Sequence, residues 1–530
     1  MHAKTFRSIC LVSSCFAGLG LAMPAASADP VTVSGPSPFA GCSLPVQPGT
    51  NYLNAEVEPW VDANPANPAN LIAGWQQDRW SNGGARSLMS GYSMNGGQTW
   101  TPVMVPGISL CSGGTFDRAS DPWVTISPDG TAYFMSLSFM NDEPNGAGGD
   151  NALFVNRSID GGVSWSGPQT LILDTDGQIF NDKNAMTADP VNSNFVYAVW
   201  DRLVDFTLPS AGKSGKPFIG AAHGGDGAAN ARARYRKIRN LGGLATNPVT
   251  FFGPAYFART TDGGVTWEAA KKIHDPGPNA QTINNLAVVL KNGDVVDFFT
   301  EILHNGKSRI GYVRSSDKGE TFGPAQVAVD MNVTLFGTMT PDAREPVRDA
   351  NILFDVAVDR HDDHHAEHHS GNIYLVWQDG RFQNLDRVAF SMSTNNGASW
   401  STPVIISKTP YNQNKLRRQA FIPSVEVGVH HKVVVTYYDF RNDTNNGKEA
   451  TDFWAISCDI ASGANCRTAG GWGSEARLTP DSFNMLNAPV ARGHFLGDYM
   501  GLVNAGGTVT AVFGKAVGPN LNDMFSTTIP

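Results

Sequence analysis

Carboxylates, guanidinium groups and phenols recur at matched points along this chain, each beside an apolar, strand-like run. In chain order they are Asp78-Arg79, Arg118 with Asp121, Asp182-Lys183, Asp201-Arg202, Asn284-Asn285 with Glu301, Arg348-Asp349, and Asp379 with Arg381. Arg418, Tyr438, Asp439 and Arg441 follow, then Arg492, His494, Asp498 and Tyr499. A planar guanidinium binds a carboxylate through two parallel hydrogen bonds. A positioned Asp, Glu or Tyr can give or take a proton in a transition state. Charged residues make up only 16% of the chain, so this gathering marks candidate chemistry. Asp-(x)-Arg recurs at Asp78-Arg79, Asp201-Arg202, Asp379-Gly380-Arg381 and Asp439-Phe440-Arg441. That recurrence fits ion pairs tying neighbouring repeats together. Residues just before each first strand vary more and are the better functional candidates.

A second chemical cluster is the run Arg360-His361-Asp362-Asp363-His364-His365-Ala366-Glu367-His368-His369. Imidazoles and carboxylates at this density can bind a transition metal. The run shows no ordered ligand spacing, so a solvated loop is expected, with no metal and no cofactor.

The elements that must position these groups are marked by five copies of one turn. They are Ser93 to Trp100, Ser158 to Trp165, Thr260 to Trp267, Ser315 to Phe322 and Ser393 to Trp400. The shared pattern is Ser/Thr-x-Asp/Asn-x-Gly-x-Ser/Thr-Trp/Phe. The Asp or Asn oxygen is suited to accept backbone N–H groups two residues on, Gly permits a positive φ, and the aromatic can be buried beneath the turn. Apolar runs precede each copy, so the chain reads as repeated β-hairpins. Strand pairs are expected to start near Pro59, Pro122, Ala185, Leu286, Ile352 and Pro423, with a seventh from Met500 to Val503 and Thr508 to Phe513. The tail, Asp523 to Thr528, then supplies a third strand and Val31 to Gly35 a fourth, joining the two ends of the chain.

Composition agrees with turn-rich β structure: 56 Gly, 32 Pro and 12 Trp, without helical periodicity. Lys4 and Arg7, the apolar stretch from Ile9 to Met23, and Ala26-Ser27-Ala28 read as an export signal cleaved after Ala28. Residues 1–28 hold two bases and no acid, so 37 bases and 48 acids remain, a formal charge of −11. Such a surface does not favour nucleic acid or an anionic membrane. No later segment is long and apolar enough to span a bilayer. Four cysteines remain after the signal, an even number suited to an oxidising compartment. Cys458 and Cys466 flank a short polar turn and are expected to pair, leaving Cys42 for Cys111. Residues 29–530 are expected to form one domain. An insertion from Val204 to Pro254, glycine-rich and then basic, breaks the third repeat. Its place after a second strand puts it over the face where first strands begin.

The turn pattern resembles the Asp-box, or BNR repeat, of sialidases and related secreted β-propellers. The resemblance covers most of residues 29–530 and implies an all-β, single β-propeller of four-stranded blades. Seven blades are preferred here, with six as the alternative, the number in sialidases. It implies a site at the channel mouth, on the face opposite the Asp-boxes. A sialidase site uses an arginine cluster for the substrate carboxylate, a Tyr nucleophile activated by Glu, and an Asp acid and base. Phe421-Ile422-Pro423 with Tyr438-Asp439-Phe440-Arg441 is similar to the family's Phe-Arg-Ile-Pro blade, and Tyr499-Met500-Gly501-Leu502 to the start of its last blade. The resemblance thus implies Asp439 and Tyr499 as catalytic. Arg118, Arg348, Arg418, Tyr438 and Asp498 are the substrate-binding candidates.

The chain departs from the family in three places. The motif arginine is absent before Ile422, leaving Arg418 to reach in. Asn284 or Asn285 stands where the activating Glu is expected. Thr300-Glu301 stands where an arginine is expected, making Glu301 the third catalytic candidate. The expected function is a secreted, or periplasmic, sialidase-like glycoside hydrolase acting on an extracellular carbohydrate, as a monomer. The alternatives are a non-catalytic glycan- or protein-binding propeller and an exo-α-sialidase with a rearranged arginine cluster.

Overall fold

The computed structural model describes residues 29–141, 149–205, 251–334, 337–361, 370–411, 414–444 and 446–529. The expected export signal lies outside the described residues. So do most of the 204–254 insertion, including its basic run, and all of the histidine run beyond His361.

Among the described residues the structure is all-β, with helix confined to short 3-10 turns such as Lys415–Arg418. Among the described residues seven four-stranded antiparallel meanders, called sheets below, follow one another, the first two joined through a single Ala85–Ala119 pairing. The first sheet holds Val57–Ala63, Leu71–Arg79, Ala85–Ser93 and Thr101–Met104. The second begins at Arg118–Ile126, the third at Ile179–Ala188, the fourth at Gln281–Val289, the fifth at Phe354–Val358 and the sixth at Ala420–Val427. The seventh is built from both ends of the chain. Gly501–Ala505, Thr508–Gly518 and Leu521–Ile529 are joined by Val31–Thr32, which pairs with Ser526 and Phe525. Each first strand packs beside that of the next sheet, and the seventh packs beside the first. Alternating apolar residues fill the space between sheets, with Trp75, Trp200 and Trp377 fully buried.

The five turns form one repeated network. Its bonds differ from the expected span of two residues. In the first turn, the Thr99 N–H donates to Asn95 Oδ1 at 3.0 Å, four residues back, and Gly97 N–H donates to Ser93 Oγ at 2.9 Å. Asp160, Asp262, Asp317 and Asn395 accept from the residue four positions on in the same way. The longer reach lets one side-chain oxygen close the whole turn. Both expected disulfides are present, Cys42–Cys111 and Cys458–Cys466.

In five sheets the first strand begins before the point read from sequence, because it contains a bulge there. In five sheets two residues oppose one on the second strand: Glu58-Pro59, Asp121-Pro122, Lys183-Asn184, Asn284-Asn285 and Ile422-Pro423. The first residue of each pair has positive φ: Glu58 56°, Asp121 54°, Lys183 49°, Asn284 62° and Ile422 51°. An L-residue resists that conformation, and surrounding structure must hold it. Proline suits the second position three times, because a bulged residue is left out of the ladder and its missing N–H costs nothing. The bulges re-aim side chains at one level of the ring of first strands.

Candidate active site

The bulges bring Glu58, Asp121 and Lys183 to that level, where they meet Asp498, Arg348 and Arg79. The Lys183 ammonium donates to Asp498 Oδ2 at 2.9 Å and stands 3.7 Å from Glu58 Oε1. Arg348 donates to the same carboxylate from Nε at 3.1 Å and from Nη2 at 2.8 Å. The Lys183 main-chain N–H donates to Asp121 Oδ2 at 3.0 Å. All these groups are buried.

Burial and the uneven share of positive charge set the protonation pattern. Two cations hold Asp498 well below the usual carboxylate range, against its own desolvation. Glu58 is pushed up to about 8 by desolvation, only partly offset by Lys183. It keeps its proton at neutral pH and hydrogen-bonds Asp498. Asp182 and Asp201, directly paired across the third sheet, are also raised, first by burial and next by Asp121.

Two segments cross this cluster. Val347–Arg348 pairs in parallel with His494–Phe495. The Phe495 ring lies under both guanidinium groups, 4.1 Å from Arg348 and 5.0 Å from Arg79. Arg79 donates from Nη1 to Gln76 Oε1 at 2.5 Å, while its Nε and Nη2 have no hydrogen-bond acceptor among the described residues.

Beside the cluster lies a cavity of the ring's interior, lined by Tyr499, Asp498, Asp349, Gln378, Trp60 and Trp123 among others. The two indoles stack with centroids 3.6 Å apart, and Tyr499 meets Trp123 edge-on at 5.5 Å. Tyr499 is half-buried. Its hydroxyl donates to the Pro122 carbonyl at 3.3 Å, and the Lys183 ammonium lies 5.0 Å from its ring centre. Desolvation, then the negative charges of Glu58 and Asp121, raise its pKa well above that of a free phenol. Asp349 accepts from Gln378 Nε2 at 2.9 Å and from the Thr338 N–H at 2.7 Å.

Tyr499, Asp498 and Arg348 are therefore brought together. The other residues named from sequence lie elsewhere. Asp439 is buried at the end of the sixth sheet's second strand, where it accepts from Thr409 Oγ1 at 2.6 Å and Arg441 Nε at 2.5 Å. Tyr438 is buried among Phe421, Phe453 and Phe483, and donates to the Gly514 carbonyl at 2.7 Å. Glu301 is held by Arg309 at 2.5 Å and His274 at 3.3 Å on the fourth sheet. Arg118 donates to Gln47, Asn82 and the carbonyls of Gly83 and Pro48 while stacked over Trp80. Arg418 ends the 3-10 turn Lys415–Arg418, half-buried.

No protein-family model matches the chain, and no curated protein matches it. Solved structures do match. A Hadza microbial sialidase shares 14% identity at a TM-score of 0.43, over 86% of this chain and 75% of that one. A Penicillium chrysogenum α-L-arabinanase complexed with arabinobiose shares 12% at 0.42, over 78% of this chain and 93% of that one. The intramolecular trans-sialidase from Ruminococcus gnavus shares 11% at 0.40, over 91% of this chain and 95% of that one.

Glu58 was missed by the sequence reading, and Lys183 and Arg79 were not separated from the recurrent charges. A signal was present: Glu58-Pro59, Asp121-Pro122 and Ile422-Pro423 repeat an x-Pro step at the same place in three sheets. That step marks a bulge, and the residue before it faces a position no regular strand offers.

Proposed function

We propose that the chain is a secreted glycoside hydrolase, built as one closed seven-bladed propeller, with its catalytic groups at the level of Tyr499. The observation that carries this reading is the Glu58–Asp498 pair. Two hydrogen-bonded carboxyl groups have environments that drive their pKa values in opposite directions, one protonated and one ionised at neutral pH. Such a pair is the mark of acid–base chemistry. Asp498 borders the cavity, with the proton one hydrogen bond behind it on Glu58. Tyr499 is the nucleophile in this reading: its oxygen bonds to the anomeric carbon as the bond to the leaving oxygen breaks, its proton passes to the Glu58–Asp498 pair, and that pair returns a proton to the leaving oxygen. Asp439, whose oxygens face Thr409 and Arg441, has a structural role in this reading.

A panel of aryl glycosides, including sialosides and arabinofuranosides, tests it. At least one substrate is expected to turn over, and Tyr499→Phe and Glu58→Gln each to lower that turnover by a factor on the order of 10². A second reading, a non-catalytic glycan-binding propeller, is favoured by one observation: the Asp498 carboxylate is already engaged by both Lys183 and Arg348 inside the protein. Glycan binding without turnover on any substrate would establish it instead.

A further inference from the structure

The fifth and sixth sheets each pass from first to second strand through a hairpin on the turn-box side. Gly371, at the end of the fifth sheet's hairpin, sits against Asn396 of that sheet's turn box. Histidines from the two hairpins converge on one carboxylate. Asp359 Oδ1 lies 3.1 Å from Nδ1 of His361, and Asp359 Oδ2 lies 2.6 Å from Nδ1 of His431. The two imidazoles are 5.7 Å apart between centroids and steeply inclined, at 77°. One ligand atom from each of the three residues falls within a 4.8 Å span. The side chains of Asp359 and His431 are fully buried, while that of His361 keeps 31% exposure, so the group is open on one side.

A single Asp–His hydrogen bond would need neither the second ring nor the backbone that delivers it. His430 and His431 both sit in the left-handed region, at φ 54° and 59°. Two consecutive non-glycine residues there form a strained hairpin, and the strain directs His431 inward to Asp359. Two imidazoles and a carboxylate at these separations match the donor set of divalent first-row transition ions.

We propose that Asp359, His361 and His431 bind one divalent transition-metal ion of the zinc class, clipping the fifth sheet to the sixth. In the metal-free form the carboxylate accepts imidazole N–H groups, so binding releases those protons. Arg360, between Asp359 and His361, lines a second cavity of about 230 Å³ together with Asp62 and Glu426. The site excludes the further histidines of the adjoining run.

Zinc titration of the chelator-stripped full chain tests this, using a variant in which His364, His365, His368 and His369 are all serine. That variant is expected to bind one ion per chain by calorimetry and to gain thermal stability on binding. Adding His361→Gln, at a partly exposed position, should weaken binding by about tenfold or more with the circular dichroism unchanged. His431→Gln in the same background should do the same. Loss of binding in the fourfold serine variant would overturn the proposal, as would unchanged affinity after His361→Gln.

Discussion

Lys183 and Asp498 stand 315 residues apart in the chain, and the ammonium of one donates to Oδ2 of the other at 2.9 Å. The bond joins the bulge of the third sheet to the segment that leads into the seventh. It is buried on both sides, so its two halves depend on each other more than on water.

Lys183→Met leaves Asp498 with Arg348 alone in a buried site. Removing one partner of such a pair is expected to cost about 3–5 kcal/mol, read by denaturant unfolding. Asp498 is depressed in the folded state, so its contribution is present above the usual Asp value and lost as pH falls through its folded value. Wild-type stability should therefore drop below about pH 4, and Lys183→Met should flatten that drop.

Glu58 has the opposite sign. Its folded pKa of about 8 lies above the unfolded value, so the folded state binds the extra proton between the two. Stability should decline as pH rises from about 4.5 to 8. Glu58→Gln should remove that slope and gain most, relative to wild type, at pH 8 and above. Thermal midpoints across this range check it, and an unchanged slope would place the proton elsewhere.

Asp439→Asn should act on stability. Its carboxylate is fully buried and holds Arg441, whose guanidinium lies 3.9 Å from the centre of the Trp454 ring. A loss of about 2 kcal/mol or more is expected, with turnover per folded molecule unchanged. A hundredfold loss of turnover in a fully stable variant would restore Asp439 to the catalytic group.

Removing residues 29–36 should destabilise the seventh sheet. Val33 N–H donates to the Met524 carbonyl at 2.8 Å, and Ser34 Oγ bridges Met524 N–H to Glu56. The truncation exposes the edge of Leu521–Ile529, which favours edge-to-edge association. Calorimetry should show a lower midpoint, and light scattering a rise in aggregates.

Cys42→Ser should cost more than Cys458→Ser. The first disulfide closes 69 residues and the second only 8. Chain entropy places the two at about 4 and about 2.5 kcal/mol. Comparison of the two variants' unfolding free energies tests the order.

What the sequence by itself determined is local. Each turn box closes through bonds spanning four residues, so Ser93 to Trp100 and its four counterparts announce their hairpins. The short turn between Cys458 and Cys466 announces its own bridge. Strand alternation and the two chain ends meeting at Val31 and Ser526 were legible because hydrophobic period and edge satisfaction act on every repeat alike. The site was not legible in this way. A bulge adds one residue to a strand without changing its composition, so Glu58 and Lys183 look like ordinary strand residues until their positive φ is seen. Which cation reaches Asp498, and which histidine reaches Asp359, depends on how separate sheets pack side by side. Desolvation then decides which carboxylate keeps its proton, and burial of that kind exists only in the folded chain.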